Sequence, residues 1–150
     1  MKMFLRAAAL AAGLTLCAAG VAQAQSAERV YDNGPVWVIS YIQTKTGMFD
    51  DYMAYLATKW RETNEADKKA GYVLDYKVLS VESPRDNEAD VILMVEYKNM
   101  AAFDRPLAES EATSAKAFGS VVKSNQAFAA RDAMRTNRGN VTTREIKFIK

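Results

Sequence analysis

The sequence predicts one α+β domain: a four-stranded antiparallel sheet with helices on one face, in the order strand, helix, strand, strand, helix, strand. Three observations predict it. Segments 36–44 and 90–97 are apolar on both of their alternating faces, as strands covered on two sides are. Segment 48–70 repeats large apolar residues at three- and four-residue steps, which is the period of a helix. Turn-forming residues separate these segments wherever the chain must reverse.

Taken in order, residues 1–24 differ from the rest. Lys2 and Arg6 give a short basic start, an uncharged run rich in Ala and Leu follows, and Ala22-Gln23-Ala24 offers small residues where a signal peptidase reads. The run is too short and too alanine-rich for a membrane span. Cys17 follows Leu16, where a lipoprotein signal would carry a small residue. Residues 1–24 are therefore expected to be a cleaved export signal, leaving a periplasmic or secreted domain with no membrane association. Residues 25–35 are polar and expected to be a flexible lead-in, with the domain proper spanning 36–150.

Strand 36–44 places Val36, Val38 and Ile42 on one face and Trp37, Ile39 and Tyr41 on the other. Helix 48–70 follows, with Phe49, Tyr52, Met53, Leu56 and Trp60 as its apolar stripe. Asp50 and Asp51 in its first turn and Lys68 and Lys69 in its last suit the helix dipole, and Gly71 closes it. Residues 72–81 read as an edge strand, 83–89 as a turn, and 90–97 as a central strand. Asn99 can cap a short turn over 100–104. Pro106 then suits the first position of a longer helix reaching about Met134, loosened at Gly119. Arg138-Gly139-Asn140 reads as a turn before a last strand, 141–149. The order is that of the split βαβ, ferredoxin-like arrangement, βαββαβ.

Composition excludes several functions. The chain has 20 Lys and Arg against 18 Asp and Glu; removing 1–24 takes Lys2, Arg6 and the sole cysteine and leaves a formally neutral domain. A nucleic-acid partner is not expected, since such domains carry a basic excess. The local run Arg131, Arg135, Arg138 and Arg144 reads as a solvated helix end. With no histidine, a Ser-His-Asp triad is impossible, and without cysteine in the mature chain so are a thiol nucleophile and structural zinc of the usual type. The glycines stand alone, so no phosphate loop can be read. No cofactor and no metal are expected.

Helices can cover one face of such a sheet. The aliphatic set Val36, Val38, Ile42, Val91, Leu93 and Val95 suits that face. Trp37, Ile39, Tyr41, Ile92 and Met94 are left on the other, as an apolar patch that needs a cover. A second copy stacking sheet to sheet would supply it; the alternative is the end of the second helix folding beneath. The stretches VWVISYIQTKTGMFDDYMAYL, WRETNEADKKAGYVLDYKVLS, DVILMVEYKNMAAFD and FGSVVKSNQAFAARDAMR resemble the dimeric α+β barrel superfamily, and within it small exported bacterial proteins of no assigned activity. The resemblance implies a homodimer and spans nearly all of the mature chain, but none of the stretches is a catalytic motif. Members of that superfamily include cofactor-free monooxygenases, haem-handling enzymes, small-ring isomerases and non-catalytic ligand binders; this chain departs from the haem handlers, which usually ligate iron through histidine.

The candidate site lies on that open face. Trp37, Ile39, Gln43 and Met94 are the expected ligand-binding residues, for a small apolar or aromatic molecule. Glu96 as general base, with Tyr41 or Arg144 stabilising an oxyanion, is the catalytic alternative, in an enzyme of the cofactor-free monooxygenase or isomerase kind. Simple pairing of Glu96 with Arg144 is the structural reading of the same residues. A purely structural module with a filled interface is the third reading.

Overall fold

A computed structural model of the chain describes residues 28–149. The expected signal, 1–24, lies outside the described residues. Strand β1 (Tyr31–Thr44) leads into α1 (Phe49–Tyr55), which passes through a π-helical stretch (Leu56–Trp60) into α2 (Arg61–Lys69). Strands β2 (Val73–Ser80) and β3 (Val91–Tyr97) follow, then a 3-10 turn (Met100–Asp104), α3 (Leu107–Phe118), α4 (Val121–Ala130), a second 3-10 turn (Arg131–Ala133) and β4 (Arg135–Phe148). The four strands form one antiparallel sheet in the order β2-β3-β1-β4. β1 and β3 are central and β2 is an edge, as the hydrophobic patterns require. This is the ferredoxin-like α+β fold.

The helical stretch over residues 49–69 forms because its apolar residues share a face. Tyr52 and Leu56 are buried, and Met53, Tyr55 and Trp60 pack with them against Ile42, Val91 and Leu93 of the sheet. Burying each such side chain fully contributes about 1.5–3 kcal/mol. Phe49, expected in the stripe, is instead 40% exposed at the first turn. Within the π stretch, the Thr58 hydroxyl donates to the Ala54 carbonyl, a local bond that competes with the regular ladder. Gly71 ends the segment at φ +82, its N–H reaching the Lys68 carbonyl.

The second helical segment departs from expectation. Gly119 adopts φ +88 and terminates α3, and the Ser120 hydroxyl accepts from Lys123 N–H to cap α4, so the chain makes two helices rather than one loosened helix. Asn99 caps the 3-10 turn as expected, accepting from Ala101 N–H, and Pro106 sits just before α3 rather than at its first position.

Both long strands exceed expectation. Residues 31–35, expected as a loose lead-in, are part of β1, and Tyr31, Asp32 and Asn33 pair with the end of β4. The expected turn at Arg138-Gly139-Asn140 is strand: Tyr41 pairs with Gly139 and Ile42 with Asn137, leaving Arg138 as an extra residue. This is a β-bulge, with Gly139 supplying the positive φ. A second irregularity lies where 34–35 oppose Glu145, and a Cβ on Gly34 would stand 2.9 Å from the Glu145 Cβ.

Candidate functional site

The ladder fixes the open face. Residues directly opposite each other in an antiparallel sheet project on the same side, and neighbours along a strand project on opposite sides. Val36, Ile42, Val91, Leu93 and Val73 are buried on the side carrying the helices. The other side therefore shows three rows that cross all four strands. The first is Leu79–Ile92–Tyr41–Gly139, the second Lys77–Met94–Ile39–Val141, and the third Asp75–Glu96–Trp37–Thr143. Leu79 and Val141 are 44% and 45% exposed at the margins, while Trp37, Ile39, Tyr41, Ile92 and Met94 are half-buried against one another. The Lys77 ammonium lies 5.3 Å from the centre of the Trp37 ring, so the polar edge strand contributes a cation–π contact to the same surface.

The expected ligand-binding residues Trp37, Ile39 and Met94 thus stand together in adjacent rows. Gln43 continues the same face towards the end of β1, where it pairs with Thr136. The expected catalytic set is not brought together. Tyr41 and Glu96 share the face but lie two rows apart, four residues along the strand, or roughly 13 Å. Arg144 pairs with Val36 and so projects from the opposite side of the sheet. The physical reason is register: the irregularities at 34–35 and Arg138 set which face each β4 residue takes, and they leave no mark in the hydrophobic pattern. Arg144 instead lines an open cleft of about 610 Å³ with Lys98, Lys147 and Asn33. Among the described residues, the Glu96 carboxylate makes no ion pair or hydrogen bond, so the pairing of Glu96 with Arg144 does not occur either.

At one end of the open face a cleft of about 440 Å³ opens between the sheet and the loop before β3. Tyr41, Ile92 and Val81 supply its apolar wall, and Glu88, Asn87 and the bulge residue Arg138 its polar rim. Its size falls within the range of small-molecule pockets. A ring system laid on Tyr41 and Ile92 would meet both signs of charge at the rim.

Sequence reasoning also missed a cluster on the helix side. Arg131 and Arg135 are half-buried rather than a solvated helix end. Arg135 donates to the hydroxyl of fully buried Tyr52 at 2.9 Å, and the Arg131 guanidinium lies 4.3 Å from the Phe128 ring centre and 5.6 Å from that of Tyr55. Burial pushes the Tyr52 and Tyr55 hydroxyls above the usual tyrosine range, opposed by the two guanidinium charges. Tyr52 and Arg135 are 83 residues apart, a separation no local pattern can bridge.

Among the described residues no group of three or more His, Cys, Asp or Glu is placed to hold a metal, and no helix is long and apolar enough to cross a membrane.

Fold and site together define a ferredoxin-like α+β domain with an unusually apolar open sheet face. No protein-family model and no curated protein matches the chain. Among solved structures it is similar to HapK from Hahella chejuensis, at 13% identity and a TM-score of 0.52 over 73% of this chain and 91% of that one. It is also similar to protein SO0527 from Shewanella oneidensis, at 15% identity and a TM-score of 0.48 over 78% of this chain and 98% of the other. At such identities the likeness is one of fold alone, and the first of the two carries it.

Proposed function

We propose that this chain is an exported binding domain that pairs with a second copy through its open sheet face and holds a small apolar or aromatic molecule there. The observation that carries the reading is the pair of rows Leu79–Ile92–Tyr41 and Met94–Ile39–Val141, which run across the sheet on the side that the helices leave bare. Isolated apolar residues on a surface need no account, but a contiguous band spanning four strands does. A second copy is the occupant that fits. Its own band is the same band, so apolar rows meet apolar rows about a two-fold axis, with the polar third row at their margin. The resemblance to the dimeric α+β barrel superfamily supports the same occupant.

The cleft beside Tyr41 supports the ligand. It is open at the margin of the band, and a facing copy would close it into a site with an aromatic wall and a charged rim. Export rests on the basic start, apolar run and Ala22-Gln23-Ala24 of the sequence. The catalytic alternative gains nothing from the geometry, because Tyr41, Glu96 and Arg144 do not converge on one point.

Native mass spectrometry of protein purified from the exported fraction tests the reading. A dimer mass carrying a small co-purifying molecule, lost in Tyr41→Ala, is expected. A ligand-free monomer whose mass begins at Met1 would overturn export, pairing and binding together.

A further inference from the structure

On the opposite side of the sheet, a cavity of about 310 Å³ lies where the end of α2, the end of β3 and the start of α3 meet. We propose that it is a second small-molecule site, independent of the open face, and that it takes a small uncharged aromatic molecule carrying a hydroxyl group.

Among the described residues, the one cation that lines the cavity is already paired. Arg105 donates to Asp67 Oδ1 at 2.6 Å, with the two side chains only 13% and 19% exposed. The other terminal nitrogen of Arg105 donates to Thr113 Oγ1 at 2.6 Å and to the Glu109 carbonyl at 2.9 Å, and its guanidinium lies 4.1 Å from the Tyr72 ring centre. The Glu109 carboxylate is engaged by the Tyr72 hydroxyl. An anionic ligand entering here would give up hydration and meet no free cation among the described residues, because Arg105 is already held by Asp67, which is costly. An uncharged one meets no such penalty.

The walls favour a ring. Tyr97 and Phe103 stand with ring centres 4.8 Å apart and tilted by 48°, and Leu107 adds aliphatic surface. The volume lies at the low end for ligand pockets and suits a single ring. The hydroxyl preference follows from what the cavity leaves unused. The Tyr97 and Ser110 hydroxyls make no hydrogen bond among the described residues, and Asp67 keeps Oδ2 as an acceptor. A phenol can donate to the carboxylate and accept from Tyr97. Burial raises the Tyr97 hydroxyl above the usual tyrosine range, with Asp67 adding to the rise and Arg105 opposing it, so it remains a donor throughout neutral pH. Clamping α3 to α2 requires only the Arg105–Asp67 pair; it does not require a ring-lined space beside that pair.

The probe is p-cresol, titrated into the purified protein and followed by NMR shifts of Tyr97 and Phe103, with toluene and benzoate as controls. Saturable p-cresol binding is expected, about tenfold tighter than toluene and with benzoate excluded. Tyr97→Phe should weaken p-cresol about fivefold and leave toluene unchanged. Ser110→Leu, at an exposed position, should abolish both by filling the space. Ile39→Glu, on the other face, should change neither, which separates this site from the one at the open face. Toluene binding as tightly as p-cresol, or p-cresol binding indifferent to Tyr97→Phe and Ser110→Leu, would overturn the proposal, as would no saturation at all.

Discussion

Asp67→Ala is the substitution whose cost the structure defines best. Asp67 and Arg105 are 38 residues apart and tie α2 to the entry of α3. Exposed ion pairs contribute between nothing and about 1 kcal/mol, while removing one partner of a fully buried pair costs about 3–5 kcal/mol, because the other charge is stranded. At 13% and 19% exposure the pair sits near the buried limit, but the cavity beside it lets water reach the abandoned guanidinium. The expected loss is therefore about 2–3 kcal/mol. For a domain of this size that lowers the melting temperature by roughly 6–12 °C. Arg105→Lys keeps the charge but gives up the planar stack on Tyr72 and the bonds to Thr113 and Glu109, and should cost about 1–2 kcal/mol. Urea unfolding followed by far-UV circular dichroism reads both, with the midpoint falling and the slope unchanged. The control is Lys68→Ala, which breaks a pair to Asp75 whose side chains are both 43% exposed. If Asp67→Ala moves the midpoint no further than Lys68→Ala, the pair is not an anchor and the reasoning fails.

Tyr52→Phe removes the hydroxyl that occupies Arg135 and should destabilise the domain by about 1–2 kcal/mol, measured by the same urea titration. Gly119→Ala forces a side chain into φ +88 and should cost about 1 kcal/mol; an unchanged midpoint would mean that the α3–α4 break relaxes freely. Stability should also fall in alkali. Tyr52, Tyr55 and Tyr97 are raised by burial in the folded state, so the unfolded chain loses these protons first, near pH 10. Their contribution is intact below that pH and disappears as pH climbs through the folded-state values. Absorbance titration at the tyrosinate band should show a delayed fraction that vanishes in denaturant; seven equivalent tyrosines would contradict this.

The parts of the fold legible in the sequence were those that depend on periodicity. Val36, Val38 and Ile42 alternating with Trp37, Ile39 and Tyr41 identified a central strand, apolar on both of its faces. The Tyr52–Leu56–Trp60 spacing identified the helix above it, whereas Gly119, read as a loosening of one long helix, in fact ends α3 and separates it from α4. What could not be read is what depends on register and on distant contact. β4 is almost wholly exposed and mostly polar, so it has no hydrophobic alternation to declare its length. Arg138-Gly139-Asn140 has the composition of a turn, yet it bends a strand that the long ladder with β1 keeps paired. That bulge and the irregularity near Gly34 decided the face of Arg144, and with it the failure of the catalytic trio to assemble. Arg131 and Arg135 looked solvated because their partners, Tyr55 and Tyr52, lie on a helix some 80 residues earlier. The open-face ligand residues Trp37, Ile39 and Met94 needed only alternation, and they stand in adjacent rows.

Sedimentation velocity on the purified protein, with Ile39→Glu beside it, tests the account most directly. Ile39 is at the centre of the middle row, between Met94 and Val141, and touches none of the buried core. The unmodified protein should sediment at twice its chain mass at micromolar concentration. The variant should sediment as a single chain with an unchanged far-UV spectrum. A wild-type protein that stays monomeric, or a variant that dimerises as before, would mean that the bare face of the sheet is not where this domain meets its own copy.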